Sequence, residues 1–148
     1  MSHPLPLVLD TNIALDVLVF AEDKVASLRA DLAAGRVQWL ATQTMRDELE
    51  RVLAYAQIAP RVAFYGLDTA AVLAAFDAKA QLRPIAPKVA VVCKDADDQK
   101  FLDLAVQERA LLLSKDKQVL KCRKRLQKWG ADISAVYPLP APKAEPAL

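Results

Sequence analysis

Two short runs of this chain are apolar from end to end, and an aspartate closes each. Leu5–Leu9 stops at Asp10, and residues 110–113 lead through Ser114 and Lys115 to Asp116. Runs this short and this uniformly apolar read as strands buried on both faces. The stretches around them carry apolar residues at helical spacing. Strands alternating with helices predict a parallel sheet covered on both sides, an α/β class with helices above and below.

The remaining elements follow from the same reading. Residues 12–20 are expected as a helix capped by Thr11 or Asn12. A second helix over 22–34 places Val25, Leu28 and Leu32 on one face and stops at Gly35. Val37–Ala41 is the next strand. Thr42 or Thr44 caps a helix running to about Tyr55. Residues 58–83 are expected as two helical pieces. Gly66 closes the first, and Asp68 or Thr69 opens the second, which carries Val72, Leu73, Phe76 and Ala80. Pro84 and Pro87 end it. Residues 89–92 fit either a short strand or a buried loop with β character. A helix over 95–108, a strand over 110–113, a helix over 117–128 stopped by Gly130 and a strand over 133–136 complete the series. The Pro- and Ala-rich residues 138–148 form an irregular tail beyond one domain over 1–137.

Composition narrows the function classes. Every long apolar stretch is broken by charge, so no transmembrane helix is read, although 54% of the 148 residues are hydrophobic. Residues 1–6 lack the features of a signal peptide. Cys93 and Cys122 form no C-x-x-C pair and are expected as reduced thiols of a cytoplasmic protein. His3 is the single histidine and lies at the terminus, which argues against an imidazole catalyst or a zinc site. Trp39 and Trp129 are expected as packing residues rather than base-stacking platforms. The apolar middle segment makes a homodimer reasonable.

Four acids stand out by position. Asp10 and Asp116 follow strands, where sites form in an open parallel sheet. Glu48 lies three residues after Met45 and four before Val52, on the face carrying Leu49 and Leu53. Asp98 precedes Phe101 by three and Leu102 by four, on the face carrying Ala105 and Val106, whereas Asp97 and Asp103 fall off that stripe. Each acid has an ordinary explanation alone: a helix cap, a dipole partner, a buried ion pair or a turn. One shared site accounts for all four. Like charges about 4 Å apart repel by roughly 4 kcal/mol at an effective dielectric near 20, so such a cup calls for a hard divalent cation. Mg²⁺ or Mn²⁺ suits an oxygen-only set. A basic stretch begins at the same place, with Lys115, Lys117, Lys121, Arg123, Lys124, Arg125 and Lys128. It is a candidate for binding an RNA backbone.

These residues resemble the PIN-domain nucleases. Val8-Leu9-Asp10-Thr11-Asn12 is similar to the family's opening strand with D-T-N or D-T-S. Asp47-Glu48-Leu49 with Val52-Leu53 is similar to its E-L-x-x-V-L helix. Asp95-Ala96-Asp97-Asp98-Gln99-Lys100-Phe101-Leu102 resembles the D-P-D-D-x-x-F-L segment of one bacterial subgroup, and Ser114-Lys115-Asp116 resembles the closing S/T-x-D. The motifs occur in the right order over about residues 5–136. The resemblance implies a three-layer α/β/α sandwich and a Mg²⁺- or Mn²⁺-dependent endoribonuclease. It also implies the role of toxin in a toxin–antitoxin pair, with an antitoxin protein as partner. By position, Asp10, Glu48, Asp98 and Asp116 would be the catalytic, metal-binding acids. Thr11, Asn12 and Ser114 would support them through hydrogen bonds, and Asp95 and Asp97 would flank them. Two positions depart from the pattern. Gln118 replaces a frequent second acid after Asp116, and Ala96 replaces the proline.

Two other readings fit the sequence less well. One is a catalytically weak module of the same fold that binds RNA or a partner protein. The other is a phosphatase or phosphotransfer domain. That chemistry wants a second acid two residues after Asp10, where Asn12 stands, or an acidic pair directly after the first strand.

Overall fold

The computed structural model describes residues 4–21 and 23–137. The expectations for His3, for Glu22 and for the tail from Pro138 lie outside the described residues. Five parallel strands form one sheet in the order β3-β2-β1-β4-β5, with β1 Leu5–Leu9, β2 Val37–Ala41, β3 Ala80–Leu82, β4 Leu111–Leu113 and β5 Asp132–Ser134. Leu7, Val8 and Leu9 are all buried. Successive side chains of a strand point to opposite faces, so both faces of the sheet are covered. The result is a three-layer α/β/α sandwich.

The chain opens with α1 Thr11–Leu15, which widens into one π-helical turn, Asp16–Phe20, instead of continuing as a regular helix. The Ala21 N–H bonds the Asp16 carbonyl at 2.8 Å across that turn. Helix α2, Ala26–Ala34, packs on β2 and ends at Gly35, whose φ of 74° only glycine adopts without strain. Helix α3, Gln43–Leu53, is capped by the Thr42 hydroxyl, which accepts from the Met45 N–H at 3.4 Å. Met45, Leu49 and Leu53 form its buried stripe.

The middle of the chain is helical in two pieces, as expected. They are α4, Ala59–Phe64, and α5, Thr69–Lys79, the latter capped by Asp68. The second piece stops earlier than 83. Ala80, Gln81 and Leu82 pair with Trp39, Leu40 and Ala41 as an edge strand. Trp39 is buried against Phe76, edge to face with ring centroids 5.1 Å apart. Trp129, expected as a packing residue, is half exposed because it lies past the last helix.

Residues 89–92 form a loop. Their polar backbone groups are met by side chains of α6, Gln99–Glu108. The Val89 N–H donates to Asp103 at 3.1 Å, and Gln99 donates to the Val91 carbonyl at 2.9 Å. The Cys93 N–H donates to Gln99 Oε1 at 2.7 Å, and Gln99 Nε2 also donates to Asp103 at 2.8 Å. Side chains thus replace a ladder. Asp103, placed off the apolar stripe from sequence, is buried because it belongs to this clamp. A 3₁₀ turn, Ala96–Asp98, precedes α6, so 95–108 is not one helix. The basic stretch likewise divides into α7, Lys117–Leu120, and α8, Arg123–Gln127. Cys93 and Cys122 are buried and unbridged. No helix among the described residues is long and apolar enough to cross a membrane.

Candidate metal centre

The connections run from β1 through β2 to β3 on one side of the sheet, and then return to β4 and β5 on the other. The order therefore reverses between β1 and β4, and a crevice opens beyond their carboxyl ends. Leu9 is in register with Leu113. That register sets Asp10 beside Ser114, and the Asp10 N–H continues the pairing to the Leu113 carbonyl at 3.1 Å.

Asp10 uses both of its oxygens. One caps α1 by accepting from the Ile13 N–H at 2.9 Å, and the other accepts from the Ser114 hydroxyl at 2.5 Å. The cap and the site are thus one arrangement. Burial raises the Asp10 pKa above the ordinary carboxylate value, and the two hydrogen bonds and the nearby Lys115 charge pull against it. Ser114 also accepts from the Asp116 N–H at 3.1 Å, so one hydroxyl links Asp10 to the turn that carries Asp116. One oxygen of Asp116 caps α7 by accepting from the Gln118 N–H at 2.7 Å. Gln118, where related sequences often have an acid, contributes that backbone group.

Asp98 differs from its neighbours. It ends the 3₁₀ turn at the start of α6, and its carboxylate accepts no hydrogen bond among the described residues. Burial, then the charges of Asp95, Asp116, Asp10 and Glu48, push its pKa from 3.8 up to about 6. Those contributions place all four other acids around it. The tightest group is Asp95, Asp98 and Asp116, each of which offers a carboxylate oxygen within 4.8 Å of the others. Asp95, assigned only a flanking place from sequence, is a member from the exposed side, where it caps the 3₁₀ turn that carries Asp98. Its other task is to accept from the Asp97 N–H at 3.0 Å.

Glu48 enters the centre from α3 already partnered. It accepts from the Thr11 hydroxyl and from Lys100 Nζ, the latter at 2.8 Å. Lys100 also donates to the Asp97 carbonyl. Lys100 lies inside the D-A-D-D-Q-K-F-L segment, whose pattern assigns it no role. The available signal was a lone cation two residues after Asp98, on the first turn of a helix that opens with acids. Asn12 is exposed beside the crevice and Asp97 is exposed at its rim.

The basic residues differ in their partners. Lys115 pairs with the buried Asp16 at 2.7 Å, and Arg123 pairs with Asp132 at 2.9 Å. Arg125 rests on the Cys122 sulfur at 3.4 Å. Lys117, Lys121 and Lys124 are exposed.

A parallel α/β/α sandwich with a cluster of aspartates at the switch in strand order offers a site suited to a hard divalent cation. Residues 6–118 match the family model described as PIN domain. The chain belongs to the PIN-domain family. No curated protein matches it. The donor set fits a Mg²⁺- or Mn²⁺-type ion: three carboxylates, with no imidazole or thiolate among them.

Proposed function

We propose that this chain is a divalent-metal-dependent ribonuclease. The observation that carries the reading is Asp98: a carboxylate with no donor, held among four other carboxylates and pushed up to about 6. Such a group is poorly satisfied until a cation joins it. In this reading Asp95, Asp98 and Asp116 hold Mg²⁺ or Mn²⁺. Asp10 forms the inner wall, fixed by Ser114 and by the Ile13 N–H. Glu48 forms the opposite wall, fixed by Thr11 and Lys100. When bound, the cation supplies Lewis-acid stabilisation of the phosphoryl oxygens and makes water a stronger nucleophile.

The net reaction is hydrolysis. The oxygen of water bonds to phosphorus, the bond from phosphorus to the leaving ribose oxygen breaks, and the leaving oxygen takes up a proton. The chain's own residues orient the ester, and the basic residues Lys115, Lys117, Lys121 and Lys124 offer charge to its backbone. The resemblance to small bacterial PIN toxins supports the further reading of a toxin held inactive by an antitoxin protein.

The test is cleavage of single-stranded RNA with Mn²⁺ or Mg²⁺. Activity should vanish on adding EDTA and in Asp98→Asn and Asp116→Asn. Retained cleavage by Asp98→Asn would remove the role given to that residue. One observation favours a second reading, a binding module without catalysis: Lys100 already neutralises Glu48. Calorimetric titration with Mn²⁺ separates the two, because an inert module has no need of a cation.

A further inference from the structure

Beside the acidic centre the structure carries a second feature that the metal does not explain. Asn12, Asp16, Phe20, Lys24, Arg61 and Lys115 line an open pocket between α1, its π turn and α4. Its volume of about 270 Å³ is several times the roughly 30 Å³ share of one liquid water, so it has room for a phosphate group. Three cations face one carboxylate. Asp16 is buried and already neutralised by Lys115 at 2.7 Å and Lys24 at 3.9 Å. Arg61 lies over the Phe20 ring, 4.0 Å from its centroid, and no carboxylate among the described residues pairs with it. A guanidinium held over a ring, with no hydrogen-bond acceptor among the described residues, is suited to a phosphate.

Arg61 also lines an adjoining depression with Pro60, Phe64 and Tyr65. Phe64 is 84% exposed and Tyr65 49%. The two rings meet edge to face at 5.4 Å, and Tyr65 leans on Phe20 at 5.9 Å. Val62 is buried, so α4 itself is anchored while its aromatic residues face outward. The sequence from the metal centre is then Lys115, Arg61, Phe64: acid cup, cationic pocket, exposed ring.

We propose that this track seats single-stranded RNA, with a backbone phosphate on Lys115 and Arg61 and an unstacked base on Phe64. It rests on the nuclease reading for the identity of the polymer, and it adds a path over α4 to the backbone contacts offered by α7 and α8. Alternation of cation and aromatic ring is how unpaired strands are held, because every base has a π-face. A duplex, with its bases stacked inside, cannot use Phe64.

The test measures anisotropy of a labelled oligouridylate of about eight nucleotides. It uses Asp98→Asn protein in EDTA, so that neither hydrolysis nor a bound ion contributes. Phe64→Ala should weaken binding about fivefold or more, and Phe64→Trp should restore it. Arg61→Ala should weaken binding and lower the salt slope by about 0.7, the value of one single-strand phosphate. Moving one abasic residue along the oligonucleotide should find a position at which Phe64→Ala costs nothing further. Unchanged affinity in Phe64→Ala would overturn the proposal, as would an equal loss at every abasic position. Sedimentation showing a dimer that Phe64→Ala disperses, with affinity unaltered, would assign the ledge to a second copy of this chain and overturn it equally. Absence of metal-dependent cleavage by the unsubstituted protein would count against the nuclease reading alone, because this binding is read without metal.

Discussion

Asp98→Asn should make the metal-free protein more stable at neutral pH while removing its capacity for metal. The Asp98 carboxyl sits at about 6 in the folded chain against an ordinary 3.8. The folded state therefore holds that proton more tightly than the unfolded state. Stability from this residue is fully present below about pH 4 and is lost as pH rises through about 6. The difference of about two pKa units sets a ceiling of about 3 kcal/mol at neutral pH. Asp98 is only partly buried, so water screens its neighbours and about 1–2 kcal/mol survives. Asparagine has the same shape, and no hydrogen bond is lost because the carboxylate accepts none. Urea denaturation in EDTA near pH 7.5 should show Asp98→Asn ahead by that amount, or by roughly 3–8 °C in Tm. Near pH 4.5 the gain should shrink to about a third. Equal or lower stability of the variant near pH 7.5 would refute the electrostatic reasoning, whatever its activity.

Three further outcomes follow from the same geometry. Saturating Mn²⁺ should stabilise the unsubstituted chain by about 2.7 kcal/mol at a hundredfold excess over Kd, and Asp116→Asn should abolish that gain in the same thermal scan. Ser114→Ala strips a donor from the buried Asp10 and should cost about 1–3 kcal/mol in urea denaturation. Gln99→Ala breaks the clamp on residues 89–93, so hydrogen exchange at the Cys93 amide should accelerate while the amides of β1 stay protected.

How much of this was legible in the sequence varies with the physical cause. The interior strands were readable because burial on both faces leaves an unbroken apolar run, as at Leu7, Val8 and Leu9. The edge strand was not. Ala80 is only partly buried and Gln81 and Leu82 are exposed, and their extended form is imposed by pairing with Trp39, Leu40 and Ala41. The π turn over Asp16–Phe20 was equally hidden, since its apolar spacing resembles that of an ordinary helix. Asp103 reads as a surface residue by periodicity and is buried because it caps a loop, a relation between segments 14 residues apart.

The convergence of acids was legible in outline and not in membership. Asp10 and Asp116 followed from their strands, and Glu48 and Asp98 from their helix faces. Asp95 depended on a tight turn that helical periodicity does not report. Lys100 depended on reach: a long side chain at the start of α6 spans the crevice to Glu48 on α3. The partners of the basic stretch were hidden for the same reason: Lys115 reaches Asp16 and Arg123 reaches Asp132, pairs that join separate segments.

Anomalous diffraction from a crystal soaked in Mn²⁺ addresses the central claim most directly. A peak at about 2.0–2.2 Å from oxygens of Asp98 and Asp116, with Asp95 at the same ion or one water away, is the expected result. A saturated soak with no peak among these three carboxylates, and Asp98 still unpartnered, would contradict it.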